Sequence, residues 1–228
     1  MSGPTVRRGS VGSKRGAFAV DADLVRRWIV EAESRIREQR DFLTQLDAAI
    51  GDADHGVNMH RGFIAAVATV DGATGSPGAL LEAVGTTLVH RVGGAAGPLF
   101  GTGFRRIGST LEESMVLDAE TLLEALRAGL EGVQDLGAAV PGDKTIVDAW
   151  VPAVAAFERE LRSGGSAHDA TERAVAAANE GVASTLPMQA RKGRASYLGA
   201  RSIGHQDPGA TSTALLFAAL ERAARPAT

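Results

Sequence analysis

The 228-residue sequence contains no cysteine. This absence excludes disulfides, thiolate zinc sites and cysteine nucleophiles, and it agrees with the cytoplasmic location that we predict. No apolar run approaches the roughly 20 residues that a membrane-spanning helix requires. The net charge of -3 is small, so the overall charge indicates binding neither to nucleic acid nor to a membrane surface.

The first 20 residues contain no acidic side chain, and they also lack the apolar centre of a signal peptide. They are rich in glycine, serine, arginine and lysine. We therefore predict a flexible basic tail over residues 1–20 and one folded domain over residues 21–228. A targeting or nucleic-acid role for the tail is the less favoured alternative.

Clusters of β-branched residues, which strands need, are scarce, whereas alanine and leucine are abundant and recur at helical spacing. We therefore predict one all-α domain of about eight helices. The predicted helices cover about residues 21–46, 58–70, 78–91, 98–114, a segment that begins at Asp118, and residues 146–161, 166–186 and 210–224. The glycine-rich and acidic segments fall at helix ends, where a rigid scaffold usually carries its site.

Three aspartates, Asp47, Asp52 and Asp54, stand within eight positions between two predicted helices. Carboxylates repel one another, so this group is stable only when water or a cation neutralises it. Asp47 falls near the end of a predicted helix, where the helix dipole disfavours negative charge. Oxygen ligands of this kind suit hard cations, and we predict a metal site. The alternative is that Asp52 and Asp54 cap the second helix while Asp47 is merely solvated.

A calcium loop of the EF-hand type does not fit this segment. With Asp52 at position 1, Gly56 falls at position 5, Val57 at position 6 and Phe63 at position 12. The EF-hand loop requires an oxygen ligand at position 5, glycine at 6 and glutamate at 12. Magnesium is the better fit, because it is commonly shared between a few carboxylates and phosphate oxygens.

Two further segments suit phosphate binding. Gly93, Gly94 and Gly97 lie where a helix begins, so backbone amides and the positive end of the helix dipole are available there. Residues 188–209 carry arginines among glycines, and we predict a lid that phosphate orders through Arg194, since little else would hold it. The alternatives are close helix packing for the glycines and a solvated loop for the arginines. Capping alone is sufficient to explain "PGDKT" at residues 141–145.

Four stretches carry a family resemblance: "GDADHGVNMHRGF", "GGAAGPLFGTGF", "PGDKTIVDAW" and "MQARKGRASYLGARSIGHQDPGATS". In this order they resemble the signature stretches of the nucleotide-binding L subunits of dihydroxyacetone kinase, over about residues 23–225. The resemblance implies a closed barrel of eight antiparallel helices that holds ADP or ATP at one end. It also implies that the chain is a phosphotransferase subunit.

The resemblance further implies a set of binding residues. Asp47, Asp52 and Asp54 would hold two magnesium ions against the phosphates of the nucleotide. The residues that would surround the nucleotide are His55, Gly56, Val57, Asn58, Ala95, Ala96, Gly137, Ile146, Arg194, Gln206, Asp207 and Pro208. The family often has serine where this chain has Ala96, so a hydroxyl contact to phosphate is lost while the backbone amide remains.

In the resembling family, dihydroxyacetone is bound covalently by a histidine of a separate K subunit. In many bacteria a phosphohistidine M subunit, which draws on phosphoenolpyruvate, rephosphorylates the bound ADP; in other systems ATP exchanges as a substrate. The resemblance therefore implies a K subunit as partner, with an M subunit and a transcription regulator as further partners. The alternative functions are phosphorylation of another short ketose, such as erythrulose, and nucleotide sensing for a transcription regulator.

Overall fold

The structure is a computed structural model that describes residues 18–111 and 114–225. Most of the predicted basic tail, residues 1–17, lies outside the described residues. Within them the chain forms nine α-helices: α1 Ala22–Glu38, α2 Arg40–Ile50, α3 His55–Val70, α4 Pro77–Arg91, α5 Ala96–Thr110, α6 Ala119–Gly137, α7 Ile146–Arg162, α8 Ala167–Ser184 and α9 Pro208–Ala224. A 3₁₀ segment, Arg194–Ser202, precedes α9.

Eight of these helices form a closed ring. Each of α3 to α8 packs against the next helix in the chain, α1 packs against α3, and α9 returns to pack against α1. Helix α2 stands beside the ring, where it packs mainly on α3. The described residues contain no strand, only an isolated bridge between Val20 and Leu117. The prediction of an all-α barrel of about eight helices is therefore confirmed.

The helices begin where the sequence provides capping side chains. The carboxylates of Asp21 and Asp118 accept hydrogen bonds from backbone amides in the first turns of α1 and α6. Thr145 and Ser166 form reciprocal capping boxes with the aspartates three residues later, at the starts of α7 and α8. Such a cap typically contributes about 1 kcal/mol, so these residues fix the helix boundaries more firmly than propensity does.

Some predicted boundaries are wrong. The predicted helix over residues 21–46 is two helices, because the backbone leaves helical geometry at Gln39 (φ -100°, ψ 6°). The next helix begins at His55 rather than Asn58, because the carboxylate of Asp47 accepts the amides that open it. The predicted ends at Ser114 and Leu186 fall at Thr110 and Ser184 instead.

Aromatic and small residues fill the interior of the ring. The rings of Trp28 and Phe104 lie 5.3 Å apart, and the indole nitrogen of Trp28 donates to a backbone carbonyl of α9 across the core. Gly85 and Gly101 face each other where α4 crosses α5: a Cβ on Gly85 would lie 2.6 Å from the carbonyl oxygen of Gly101. This close approach holds the two helices rigidly behind the loop that follows α4.

None of the helices in the described part of the chain combines the length and the apolar character that a membrane crossing demands.

Candidate functional site

Four helices of the ring begin at the wall of one cavity of about 450 Å³. The first residues of α3, α5, α7 and α9, which are His55, Ala96, Ile146 and Pro208, all line it. A helix N-terminus carries partial positive charge, and its first backbone amides need acceptors from outside the helix. Four of them around one cavity therefore favour an anionic ligand.

The three aspartates of the acidic segment converge at this cavity. One carboxylate oxygen from each of Asp47, Asp52 and Asp54 lies within 4.8 Å of the others. Ala53, between the latter two, adopts the left-handed conformation with φ 62°, which a non-glycine residue rarely takes. That turn brings both flanking carboxylates round to the same side. The expected convergence of the three aspartates is therefore present.

Asp47 fixes the geometry of this acidic group. It lies within α2, is 8% exposed, and its Oδ2 accepts hydrogen bonds from the amides of Asp54 (2.9 Å) and His55 (3.1 Å). A Cβ at Gly51 would lie 2.0 Å from Oδ1 of Asp47, so only glycine leaves room for this carboxylate. Asp47 thus ties the end of α2 to the start of α3.

The capping alternative does not account for the other two aspartates. Asp54 precedes α3 but makes no side-chain capping bond, and Asp52 pairs with the guanidinium of Arg194 at 3.0 Å. Both residues line the cavity, where their carboxylate oxygens are available to a ligand. A set of three carboxylates without sulfur or imidazole fits magnesium or another hard cation.

His55 lies at the junction between the acidic group and α9. Its Nε2 is 2.8 Å from the hydroxyl oxygen of Ser212. Burial lowers the pKa of His55, although the charges of Asp47 and Asp54 oppose that shift. The imidazole is therefore suited to a hydrogen-bonding role in the wall of the cavity rather than to carrying a permanent positive charge.

The glycine segment before α5 presents backbone rather than side chains. Gly94 has φ 64°, and Ala95, which precedes α5, makes no side-chain capping bond. Gly93 packs against the amide group of Asn58, where a Cβ would lie 2.7 Å away. The first amides of α5 are thus left for a ligand, and close packing explains one of the glycines as well.

The segment between α8 and α9, residues 185–207, is called the pocket loop below. Its tip carries Arg194, which reaches Asp52, together with the exposed Tyr197. The expectation that little would hold this loop is wrong for its base, where the buried ammonium of Lys144 donates to several of its carbonyl groups. The predicted lid is thereby limited to the tip of the loop.

Asp207 closes the cavity on the α9 side. Its carboxylate accepts the amide of Ala210 at 2.6 Å and so caps α9. Burial raises the pKa of Asp207 to about 7, and the charge of Asp148 adds to this effect, whereas the Ala210 amide and Lys144 oppose it. Asp207 is therefore a carboxyl group that gains and loses its proton near neutral pH.

Most of the predicted site residues line this one cavity: Asp47, Asp52, Asp54, His55, Ala95, Ala96, Gly137, Ile146, Arg194, Asp207 and Pro208. Four predicted residues are not part of its wall. Gly56 packs tightly on α2, Val57 is half exposed, Asn58 lies behind Gly93, and Gln206 bonds a threonine of α9. The nucleotide contacts assigned to all of these residues remain predictions.

Several wall residues escaped the sequence argument. Lys144 lies in "PGDKT", where capping by Thr145 seemed sufficient, and that cap does exist. The apolar wall residues Leu99, Val133 and Leu136 belong to helix faces that looked like ordinary core positions. A lysine directly before a helix start, in a chain that has so few lysines, is the signal that was available.

The comparison with known protein families shows to which family the chain belongs. The DAK2 domain matches residues 49–222. This chain belongs to the Dak2 family. Membership confirms the resemblance inferred from the four signature stretches. The matched range includes every residue of the cavity wall except Asp47.

Relatives of this Dak2 chain match it over nearly their whole length. The ADP-binding subunit of the PEP-dependent dihydroxyacetone kinase of Escherichia coli is 45% identical over 87% of this chain and 95% of its own. The corresponding subunit of kinase 1 of Listeria innocua is 42% identical over 88% of this chain and 96% of its own. Both relatives are named as subunits of a kinase, which is the class of protein that the sequence predicted.

A solved structure shares the fold of this Dak2 chain. The crystal structure of the dihydroxyacetone kinase from C. freundii in complex with AMP-PNP and Mg²⁺ superposes with a TM-score of 0.68 at 24% identity. The match covers 97% of this chain and 38% of that chain. The helical ring is thus one part of a larger protein in that kinase.

Asp207 generates a prediction about pH. Its pKa rises from an ordinary 3.8 to about 7 in the folded chain, so the folded state binds this proton more tightly. The stability from this group is fully present below pH 4 and is lost as the pH rises through 7. We expect the free energy of unfolding of the wild type, relative to Asp207→Asn, to fall across this range. Urea unfolding at successive pH values measures it.

The control for this titration is Ser109→Ala, an exposed change on α5 that removes no ionisable group. Its pH profile should run parallel to that of the wild type. If the Asp207→Asn profile were parallel as well, the buried carboxyl would not titrate in the stated range.

Proposed function

We propose that this chain binds ADP or ATP together with magnesium in the cavity and acts as the nucleotide-binding subunit of a dihydroxyacetone kinase. The observation that carries the proposal is the meeting of four helix N-termini and three carboxylates at one cavity. Helix N-termini favour phosphate, and carboxylates need a cation between them and that phosphate. The names of the relatives from E. coli and L. innocua support the same nucleotide.

In this proposal Asp47, Asp52 and Asp54 hold two magnesium ions. Magnesium, when bound, neutralises negative charge on phosphate oxygens. The residues of the chain supply the remaining stabilisation: the first amides of α5 and the guanidinium of Arg194 are donors for the phosphates. His55 is held by Ser212 beside them and adds a neutral hydrogen-bonding group.

The base of the nucleotide suits the opposite, apolar wall. Leu99, Val133, Leu136 and Ile146 line that side of the cavity. Gly137 ends α6 there, and a Cβ on it would lie 3.3 Å from Leu99. A flat aromatic base gains from burial against such a surface, whereas the phosphates lie near the helix N-termini. The cavity therefore orients the nucleotide with its phosphates toward the acidic group.

The ketose belongs on a partner in this proposal. We propose a K-type subunit that presents dihydroxyacetone to the cavity, so that the phosphoryl group passes between chains. The relatives are subunits of PEP-dependent kinases, which supports rephosphorylation of bound ADP by an M-type phosphohistidine subunit. We propose a cytoplasmic location for the chain as part of this assignment.

The first prediction of the proposed function concerns turnover. The purified chain with magnesium and ATP should not phosphorylate dihydroxyacetone, because the ketose belongs on the partner in this proposal and the histidine of the cavity wall, His55, is engaged with Ser212. Addition of a K-type subunit and a phosphoryl donor should start turnover, measured as dihydroxyacetone phosphate by an enzyme-coupled assay. Robust turnover without a partner would contradict the proposed division of labour. Mass spectrometry of the chain purified without added nucleotide tests whether ADP is retained.

The second prediction concerns the acidic group. Asp52→Asn and Asp54→Asn should abolish Mg-ADP binding in calorimetry and Mn²⁺ binding in electron paramagnetic resonance. Each substitution removes the negative charge of one carboxylate that would bind the cation. Both side chains are solvent-accessible, so the helical circular dichroism should not change. Asp71→Asn, an exposed aspartate after α3, is the matched control and should bind normally. Unchanged ADP affinity in both variants would exclude the metal site.

The third prediction separates two arginines of the pocket loop. Arg194 lines the cavity, whereas Arg201 is exposed and lies outside its wall. Arg194→Ala should weaken Mg-ADP binding by roughly 1.5–3 kcal/mol, the scale of a hydrogen bond to a charged group. Arg201→Ala should weaken it less.

Hydrogen exchange supplies the second readout for the lid. Mg-ADP should slow exchange at the tip of the pocket loop, residues 191–199, in the wild type but much less in Arg194→Ala. Equal protection of the wild-type loop with and without Mg-ADP would rule out the lid and leave a solvated basic loop.

A further inference from the structure

Lys144 is the most deeply buried charged side chain near the cavity, with 1% of its surface exposed. Its backbone is left-handed, with φ 64°, and this rare conformation turns the side chain inward beside the start of α7. Its Nζ donates to four backbone carbonyl oxygens, those of Thr185, Met188, Ser202 and His205. An ammonium carries three protons, so at least one is shared between two of these acceptors.

These four carbonyls belong to the two arms of the pocket loop. Thr185 and Met188 lie on the arm that leaves α8, and Ser202 and His205 lie on the arm that leads to α9. The ammonium therefore joins both arms at one point. The tip of the loop, which carries Lys192 and Arg194 to the cavity, lies between them along the chain.

Other bonds link the same two arms but are fewer and neutral. The amide of Gly204 donates to the carbonyl of Leu186 at 2.7 Å, and the amide of Ala190 donates to the hydroxyl of Ser202 at 2.9 Å. Hydrogen bonds to a charged donor are roughly twice as strong as neutral ones. Lys144 is thus the dominant connection at the base of the loop.

The burial of Lys144 needs compensation. Burial lowers its pKa, and the nearby charge of Asp207 opposes that shift. Loss of the ammonium would leave the carbonyl groups of Met188, Ser202 and His205 without a donor, whereas that of Thr185 keeps the amide of Met188. Buried polar groups without a partner are costly. A lysine kept at this cost in the wall of the cavity is better explained by what it positions than by stability alone.

We propose that Lys144 is a positioning residue that clamps both arms of the pocket loop and so sets Arg194 over the acidic group for nucleotide binding. The proposal rests on the proposed function, because it concerns the affinity of the same cavity for ADP. It assigns no contact between Lys144 and the phosphates. The acidic group consists of Asp47 on α2 and of Asp52 and Asp54 in the turn before α3. The clamp reaches it only through the ion pair of Arg194 with Asp52, which supplies no oxygen ligand, so loss of the clamp should not lower the affinity for a metal ion.

The test is Lys144→Met, which keeps much of the side-chain length and removes the charge and the donors. Hydrogen exchange should become faster at the amides of Ala190 and Gly204, which bond across the arms, while the ring helices keep their protection. The affinity for Mg-ADP should fall about 10- to 100-fold. The affinity for Mn²⁺ without nucleotide should stay within about twofold of the wild type.

The matched control is Arg26→Met. Arg26 also donates to backbone carbonyl groups, those of Val70 and Ala73, but it lies outside the cavity wall. This variant should keep the wild-type affinity for Mg-ADP. Ser202→Ala is a milder change that removes the bond from the amide of Ala190 and the bond that the hydroxyl donates to the carbonyl of Gly199. It should give faster loop exchange with a smaller loss of affinity. If Lys144→Met does not fold, Ser202→Ala still tests whether loosening the two arms lowers the affinity for Mg-ADP.

Three results would overturn the clamp: unchanged loop exchange in Lys144→Met, faster loop exchange with unchanged ADP affinity, or loss of Mn²⁺ binding together with faster exchange throughout the ring. The same pattern in Ser202→Ala, faster exchange without any loss of affinity, would also overturn it. A wild-type chain that binds no ADP overturns the proposed function instead. In that case, hydrogen exchange of the loop and Mn²⁺ binding in Lys144→Met still test whether Lys144 holds the two arms together.

Discussion

The electrostatic balance at the cavity governs the rest of the structure. Four helix N-termini direct partial positive charge into one space, and three carboxylates oppose it from the α2–α3 side. Neither set is stable alone: the amides need acceptors and the carboxylates need donors or a cation. Asp47 satisfies part of both needs, because its carboxylate accepts the amides of α3.

The closed ring makes this balance possible. Since α9 packs back on α1, each helix is held on two sides and its N-terminus cannot move away from the cavity. The close approach of Gly85 and Gly101 fixes α4 and α5, and with them the glycine segment that presents amides. The pocket loop is held less firmly, because Lys144 fastens its base whereas its tip is held by the ion pair of Arg194 with Asp52 and by the packing of Ala195 on Ile50. Rigid helix ends and one partly free loop are a suitable arrangement for a ligand that must enter and leave.

The sequence predicted most of this arrangement because its strongest signals are local. Helical spacing, capping residues and crowded aspartates can be recognised within a few turns of chain, and the three aspartates do converge. The break at Gln39 was missed because the apolar pattern runs through it without a proline or glycine. The role of Lys144 was missed for another reason: its four acceptors are 41 to 61 residues away in sequence. Only the folded chain brings them together.

Asp47 has a further consequence for the choice of ion. Because its Oδ2 already accepts two amides, a single oxygen is left, and Asp47 cannot chelate a cation with both. Calcium commonly takes six to eight oxygens and often uses a two-oxygen carboxylate, whereas magnesium takes six at shorter range and keeps its waters. In the proposed metal site, an aspartate committed in this way would therefore favour the smaller ion with fewer ligands, and the fold of the α2–α3 junction would contribute to that choice.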